Sequence, residues 1–184
     1  MVKIISTLLI LFVGPVAHAG VFELSLGFSY SRSLLQEGDS TTMTSWGSAL
    51  AYHFSNSSGL EFSFDDVTQK NIVAGVQDIT VHDRIYSINW VQGILNQKSM
   101  FQPYFKVGVG QTNRDISGSI TFSGTKIGVT SEVDEVTGIG SVGFRLYMTQ
   151  RFSVKAEGTT RLLGGKLANW KDDIRGKVGI SFYF

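Results

Sequence analysis

Cysteine is absent from this 184-residue sequence, and proline occurs only twice. Without thiols there is neither a disulfide framework nor a thiolate metal centre. An excess of charge of one sign is lacking too. Lys and Arg number 16 against 15 Asp and Glu, a balance that gives no reason to expect a nucleic-acid partner. After residue 20 no apolar run approaches the ~18 residues of a membrane-crossing helix. What the chain does have is 21 glycines and 13 phenylalanines, a pairing that suits pleated strands and turns better than helices.

The one sustained apolar run lies at the start. In "MVKIISTLLILFVGPVAHAG", Lys3 precedes an apolar stretch over residues 4–13, and Ala17-His18-Ala19 has the small-x-small pattern of a signal-peptidase site. The run is too short to span a bilayer, and Pro15 follows it closely. Residues 1–19 are therefore expected to form a secretory signal peptide and residues 20–184 a single domain.

Within 20–184, hydrophobic and polar residues alternate repeatedly. In "VFELSLGFSYS", Phe22, Leu24, Leu26, Phe28 and Tyr30 share one face, with Glu23, Ser25, Gly27, Ser29 and Ser31 on the other. A period of two is the mark of a strand with unlike faces. Similar alternation recurs over 46–54, 60–65, about 80–92, 101–113, 135–148, 151–162 and 173–184, giving eight strands. Ile85 is out of phase with the apolar set of the fourth, which predicts a bulge there. The connections "SNSS", "LNQKS" and "TQ" are short. Those around 33–42, 66–79, 114–134 and 163–172 are long and polar. Strict alternation of short and long links fits an up-and-down barrel with two unlike ends.

The two faces can then be assigned. A soluble barrel of the lipocalin kind would turn the apolar set inward, but eight strands enclose a space just wide enough for side chains to fill. That space cannot hold Phe22, Phe28, Trp46, Tyr52, Phe62, Phe64, Trp90, Phe105, Phe144, Phe152 and Phe182 together. Turned the other way, the small residues leave room for a lumen charge network of Glu23, Glu61, Asp65, Lys106, Arg145, Lys155, Glu157, Arg161, Arg175 and Lys177. Both signs are present, so the charges can pair. Lipid takes the apolar face, since closed barrels are the sheets that satisfy every backbone group there. The expectation is an all-β, eight-stranded antiparallel up-and-down transmembrane β-barrel in the bacterial outer membrane, in contact with its lipid and lipopolysaccharide.

The segments "SVGFRLYMTQRFSVKAEGTTR" and "KVGISFYF" carry a family likeness. Residues 20–184 resemble the small eight-stranded outer-membrane barrels of the OmpA transmembrane-domain and OmpX type. The resemblance implies that the barrel-assembly machinery reads Ile180, Phe182 and Phe184 as an assembly signal. The chain is expected to be a monomer without cofactor or metal.

Three stretches bear on function. "HFSN", His53–Asn56, resembles the His-x-Ser-Asn element of outer-membrane lipid A deacylases, in which the His and Ser serve as base and nucleophile. Here the element ends the second strand at a short turn and points to the lumen, so a strand running into a Ser/Asn turn is the preferred reading. His82, with Asp78 and Asp83 nearby, reads as part of a solvated loop. In "DISGSITFSGTKIGVTSEVDEV", Ile120 and Phe122, then Lys126, Ile127 and Val129, flank the turn "SGT". This predicts a surface hairpin extending strands five and six, whose edge can take an extended partner segment. The expected function is therefore non-enzymatic: a barrel displaying loops for envelope integrity or for adhesion to an extracellular protein or host-surface ligand. A lipid-modifying enzyme or a narrow pore is the alternative.

Overall fold

A computed structural model describes residues 20–36, 39–95, 99–122, 125–163 and 174–184. The expected signal peptide, residues 1–19, lies outside the described residues. Eight strands follow in chain order: β1 (Val21–Gln36), β2 (Asp39–His53), β3 (Ser58–Val73), β4 (Gln77–Gly93), β5 (Phe101–Phe122), β6 (Thr125–Thr149), β7 (Phe152–Leu163) and β8 (Ile174–Tyr183). Each is antiparallel to the next, and β8 returns to pair with β1, closing the barrel.

The strands are longer than the sequence alone suggested. Over 114–122 and 125–134 the expected hairpin is formed, and over 33–36, 39–42 and 66–79 the chain stays paired around its turns instead of forming loops. Ser33 faces Thr41, Asn71 faces Ile79, and Ile116 faces Ser131. In 33–36, 39–42 and 66–79 the apolar alternation stops because the chain there is no longer in contact with lipid. Extended pairing continues because Thr, Val and Ile still favour the pleat. Between β3 and β4 the turn narrows to three residues, with Gly75 at φ 72° and the Val76 N–H donating to the Val73 carbonyl at 3.0 Å. That left-handed conformation is the reason for glycine at its tip.

The expected bulge at Ile85 is not formed. Register on both sides of β4 is continuous, and Ile85 is buried on the same face as Ser87 and Asn89. Ile85 is an apolar residue inside the barrel, beside Val67 on the neighbouring strands' inner face, and not a phase break. Register shifts occur instead between Leu34 and Gln36 and between Tyr147 and Thr149.

Burial is inverted relative to a water-soluble domain. Glu23, Glu61, Lys106, Arg145, Lys155 and Arg161 are buried, whereas Leu26, Phe28, Phe62, Ile88, Val107 and Val142 are exposed. Aromatic contacts mark the two rims of the exposed band. Toward the "SNSS" end lie Phe22–Tyr52, Phe54–Trp90 and Phe152–Phe182, with ring centroids 5.1, 5.3 and 5.3 Å apart. Toward the other end, Phe64 contacts both Trp46 and Tyr86. Paired aromatic girdles around an apolar belt are the exterior of a membrane barrel.

Glycine makes room inside. The Lys177 stem crosses Gly27, where an added Cβ would lie 2.3 Å from Lys177 Cε. Gly27→Val should therefore lower stability by about 1–3 kcal/mol, the usual cost of overpacking. The check is the urea midpoint of the refolded protein in micelles, and an unchanged midpoint would show that the lysine stem moves aside without penalty.

Candidate functional site

The lumen holds its charges in four tiers. Lowest is Glu23, fully buried, whose carboxylate accepts from Lys155 Nζ at 2.9 Å, is ion-paired with Arg145 Nη2 at 3.1 Å and lies 2.6 Å from His53 Nε2. Lys155 also donates to Ser25 Oγ at 2.7 Å. The Arg145 guanidinium stacks over the Tyr104 ring, 4.6 Å from its centroid, and Tyr147 donates its hydroxyl hydrogen to Gln102 at 3.0 Å. Together these groups fill the bore near the short turns.

One tier up, Lys106 Nζ bridges Glu61 Oε1 at 2.9 Å and Glu157 Oε2 at 2.7 Å, and the Tyr104 hydroxyl donates to the same Glu157 oxygen at 2.8 Å. Above that, Lys177 pairs with Asp65. At the top Asp83 receives Arg114 Nε at 2.7 Å and Arg161 Nη2 at 3.1 Å, with Arg175 Nη2 3.8 Å away. All ten residues assigned to the lumen from sequence thus have an ion-pair partner. Such buried pairs position strands without being strong evidence of stability in themselves.

Asp83 and Arg114 were missed. The sequence around His82 predicts a solvated loop that includes Asp83, but Asp83 is 2% exposed and inside the barrel. Its spacing of two from Ile85, and of four from Ser87, was the available signal. Arg114 was assigned to a long loop, yet it continues the inward set of Gly108, Gly110 and Thr112. His82 faces the other way, 2.9 Å from Asp66 Oδ1. Among the described residues no group of three His, Cys, Asp or Glu is placed to hold a metal ion.

Between the tiers lies a cavity of about 80 Å³ lined by Ser63, Ser87, Asn89, Glu61 and Asp65 among others. At ~15 Å³ per water this is room for roughly five waters. The His53 and Ser55 side chains of the HFSN element have separate partners. His53 is engaged by Glu23, while Ser55 Oγ accepts the Ser57 and Ser58 backbone N–H groups at 3.3 and 2.9 Å, closing the turn.

Beyond the upper girdle the barrel continues as a raised wall. β5 and β6 have 22 and 25 residues, about twice the 9–11 that cross a bilayer. They stay in register from Phe101–Leu146 to Phe122–Thr125. The predicted hairpin residues Ile120, Lys126, Ile127 and Val129 lie in this region, Ile120 opposite Ile127 and Gly118 opposite Val129. Phe122 closes the pairing opposite Thr125. The wall is lopsided. Among the described residues, β6 pairs with β7 only from Thr137 on, and β1 pairs with β8 only as far as Phe28.

Ile180 and Phe182 face outward, paired with Leu26 and Leu24, and Phe184 exchanges backbone hydrogen bonds with Phe22 at 2.9 and 3.2 Å.

Among solved structures the chain resembles the N-terminal β-barrel domain of OprF from Pseudomonas aeruginosa, with 16% identity, TM-score 0.58 and coverage of 90% of this chain and 97% of that one. The fold is that of a small outer-membrane β-barrel. Ail of Yersinia pestis, the attachment invasion locus protein, gives 16% identity and TM-score 0.56 over 91% of this chain and all of its own (100%). The outer-membrane protein OprG of Pseudomonas aeruginosa gives 15% identity and TM-score 0.56 over 90% and 96%. No protein-family model and no curated protein matches the sequence. This barrel shares with those structures a closed sheet of similar length, and its own sequence determines what fills the lumen and what rises above it.

Proposed function

We propose that the protein is a non-enzymatic barrel of the bacterial outer membrane, embedded in lipid and lipopolysaccharide as a monomer, whose raised β4–β6 wall contacts an extracellular protein or host-surface ligand. The observation that carries this reading is the division of each long strand. Its lower half is apolar outside and ion-paired inside, which suits lipid. Its upper half continues as ordered, paired sheet that lipid does not require. A protein serving only envelope integrity has no need of strands twice the membrane thickness. The neighbour Ail has been crystallised with a heparin analogue, which makes surface ligands a reasonable class to screen.

Deleting residues 116–130 should leave barrel folding intact, seen as the different gel migration of boiled and unboiled samples, while lowering attachment of cells to host-cell, matrix or serum-protein panels. If the deletion strain attaches as well as its parent, the wall is not the functional surface. The enzyme reading has a direct check as well: lipid A from cells with and without the protein should have the same mass spectrum.

Ile180, Phe182 and Phe184 we assign to assembly. Phe184 is 76% exposed, so its ring contributes little packing. Phe184→Ala should lower the amount of folded protein in the outer membrane of cells by several fold while leaving refolding in detergent unchanged. Equal levels in cells would remove the assembly role.

A further inference from the structure

The raised wall ends laterally in two sheet edges. Residues Ser29–Gln36 of β1 and Thr125–Val136 of β6 each pair on one side only among the described strands. Every second residue of such an edge presents its N–H and C=O outward, a template for one more strand. The two differ in chemistry. Along β1 the inner face is Ser29, Ser31 and Ser33, which gives an added strand nothing apolar to bury. Along β6 the inner face is Ile127, Val129, Ser131, Val133 and Glu135, and the outer face carries Lys126 and the exposed carboxylates Glu132 and Asp134.

We propose that the β6 edge takes an extended peptide segment whose side chains alternate between β-branched apolar and basic, the apolar set over Ile127, Val129 and Val133 and the basic set opposite Glu132 and Asp134. This rests on the surface-contact role of the wall and names the partner for it. Directly opposed side chains across a strand pair lie ~5 Å apart, close enough for apolar contact on one face and opposite-charge pairing on the other. Main-chain hydrogen bonds supply sequence-independent affinity, and the alternating faces supply the selection. An acidic alternating segment would set like charges across the pair and is disfavoured.

The test uses the full chain in lipid nanodiscs and a ten-residue peptide alternating lysine and valine. It should bind, and a peptide of the same composition with the lysines in one block should bind at least tenfold more weakly. Of two versions N-methylated on alternate amides, the one whose methyl groups face β6 should lose binding and the other should keep it, because successive amides of a strand point to opposite sides. Glu132→Lys with Asp134→Lys should weaken the lysine–valine peptide at least tenfold and strengthen a glutamate–valine one. Both side chains are exposed, and the gel-migration shift verifies that the variant still forms a barrel. Equal binding of the block peptide, indifference to both methylation patterns, or an unchanged double variant would overturn the proposal. If the peptide fails while deletion of 116–130 still abolishes attachment, the partner chemistry is wrong and the surface role stands. If deletion has no effect on attachment, the surface role itself fails.

Discussion

Glu23→Leu is expected to destabilise the barrel by about 3–5 kcal/mol, the cost of leaving buried cations without their carboxylate. The Glu23 side chain is fully buried and holds Lys155 at 2.9 Å and Arg145 at 3.1 Å. Both cations are themselves buried in the lowest tier, so neither can turn to water once the carboxylate is gone. The effect should shrink in Glu23→Leu combined with Lys155→Met, because removing both members of a buried pair costs less than removing one. Urea unfolding of the refolded proteins in lipid vesicles gives both numbers. A loss below about 1 kcal/mol for Glu23→Leu would mean that water reaches the tier and screens it.

Leu26→Arg and Ile127→Arg should differ sharply although the two side chains are equally uncovered, at 50% and 53%. Leu26 lies in the middle of the outward apolar set of β1, between Leu24 and Phe28, and opposite Ile180 of β8. An arginine there should cost about 2–4 kcal/mol, as cations do near the bilayer midplane. Ile127 belongs to the raised wall, where an arginine meets water, and surface changes of that kind stay within about 0.5 kcal/mol. Similar losses at both positions in a vesicle refolding titration would show that the solvent has been misassigned to one of them.

Most of the barrel was legible because a lipid-facing strand writes a period of two into the sequence, with phenylalanine and leucine on one face and small or charged residues on the other. The lumen residues were readable for the same reason, as phase partners of that apolar set. Legibility ended where the lipid did. At Thr41 or Lys70 both faces of the sheet are polar, so the pattern resembles a loop while the backbone remains a ladder. Asp83 and Arg114 were lost at that boundary. Ile85 misled in the opposite sense, since an isoleucine inside a lumen of serines and charges breaks the pattern without breaking the strand. The HFSN stretch shows the limit of short motifs, because Glu23, thirty positions earlier, is what engages its histidine.

The pairing of β1 with β8 has a consequence for how the molecule is made. Every other strand pairing joins chain neighbours, down to turns as tight as Ala74-Gly75-Val76. The β1–β8 seam, Glu23–Phe28 against Val178–Tyr183, joins segments some 150 residues apart in the chain and is far shorter than the β5–β6 ladder. Hairpins form fast because the loops they close are small, whereas a seam of such sequence separation must wait for the rest. Closure is therefore the slow, final event of folding. The Glu23 carboxylate comes from the first strand, and Arg145 and Lys155 from the sixth and seventh. Its ion pairs assemble at that moment and act as a latch on the finished cylinder.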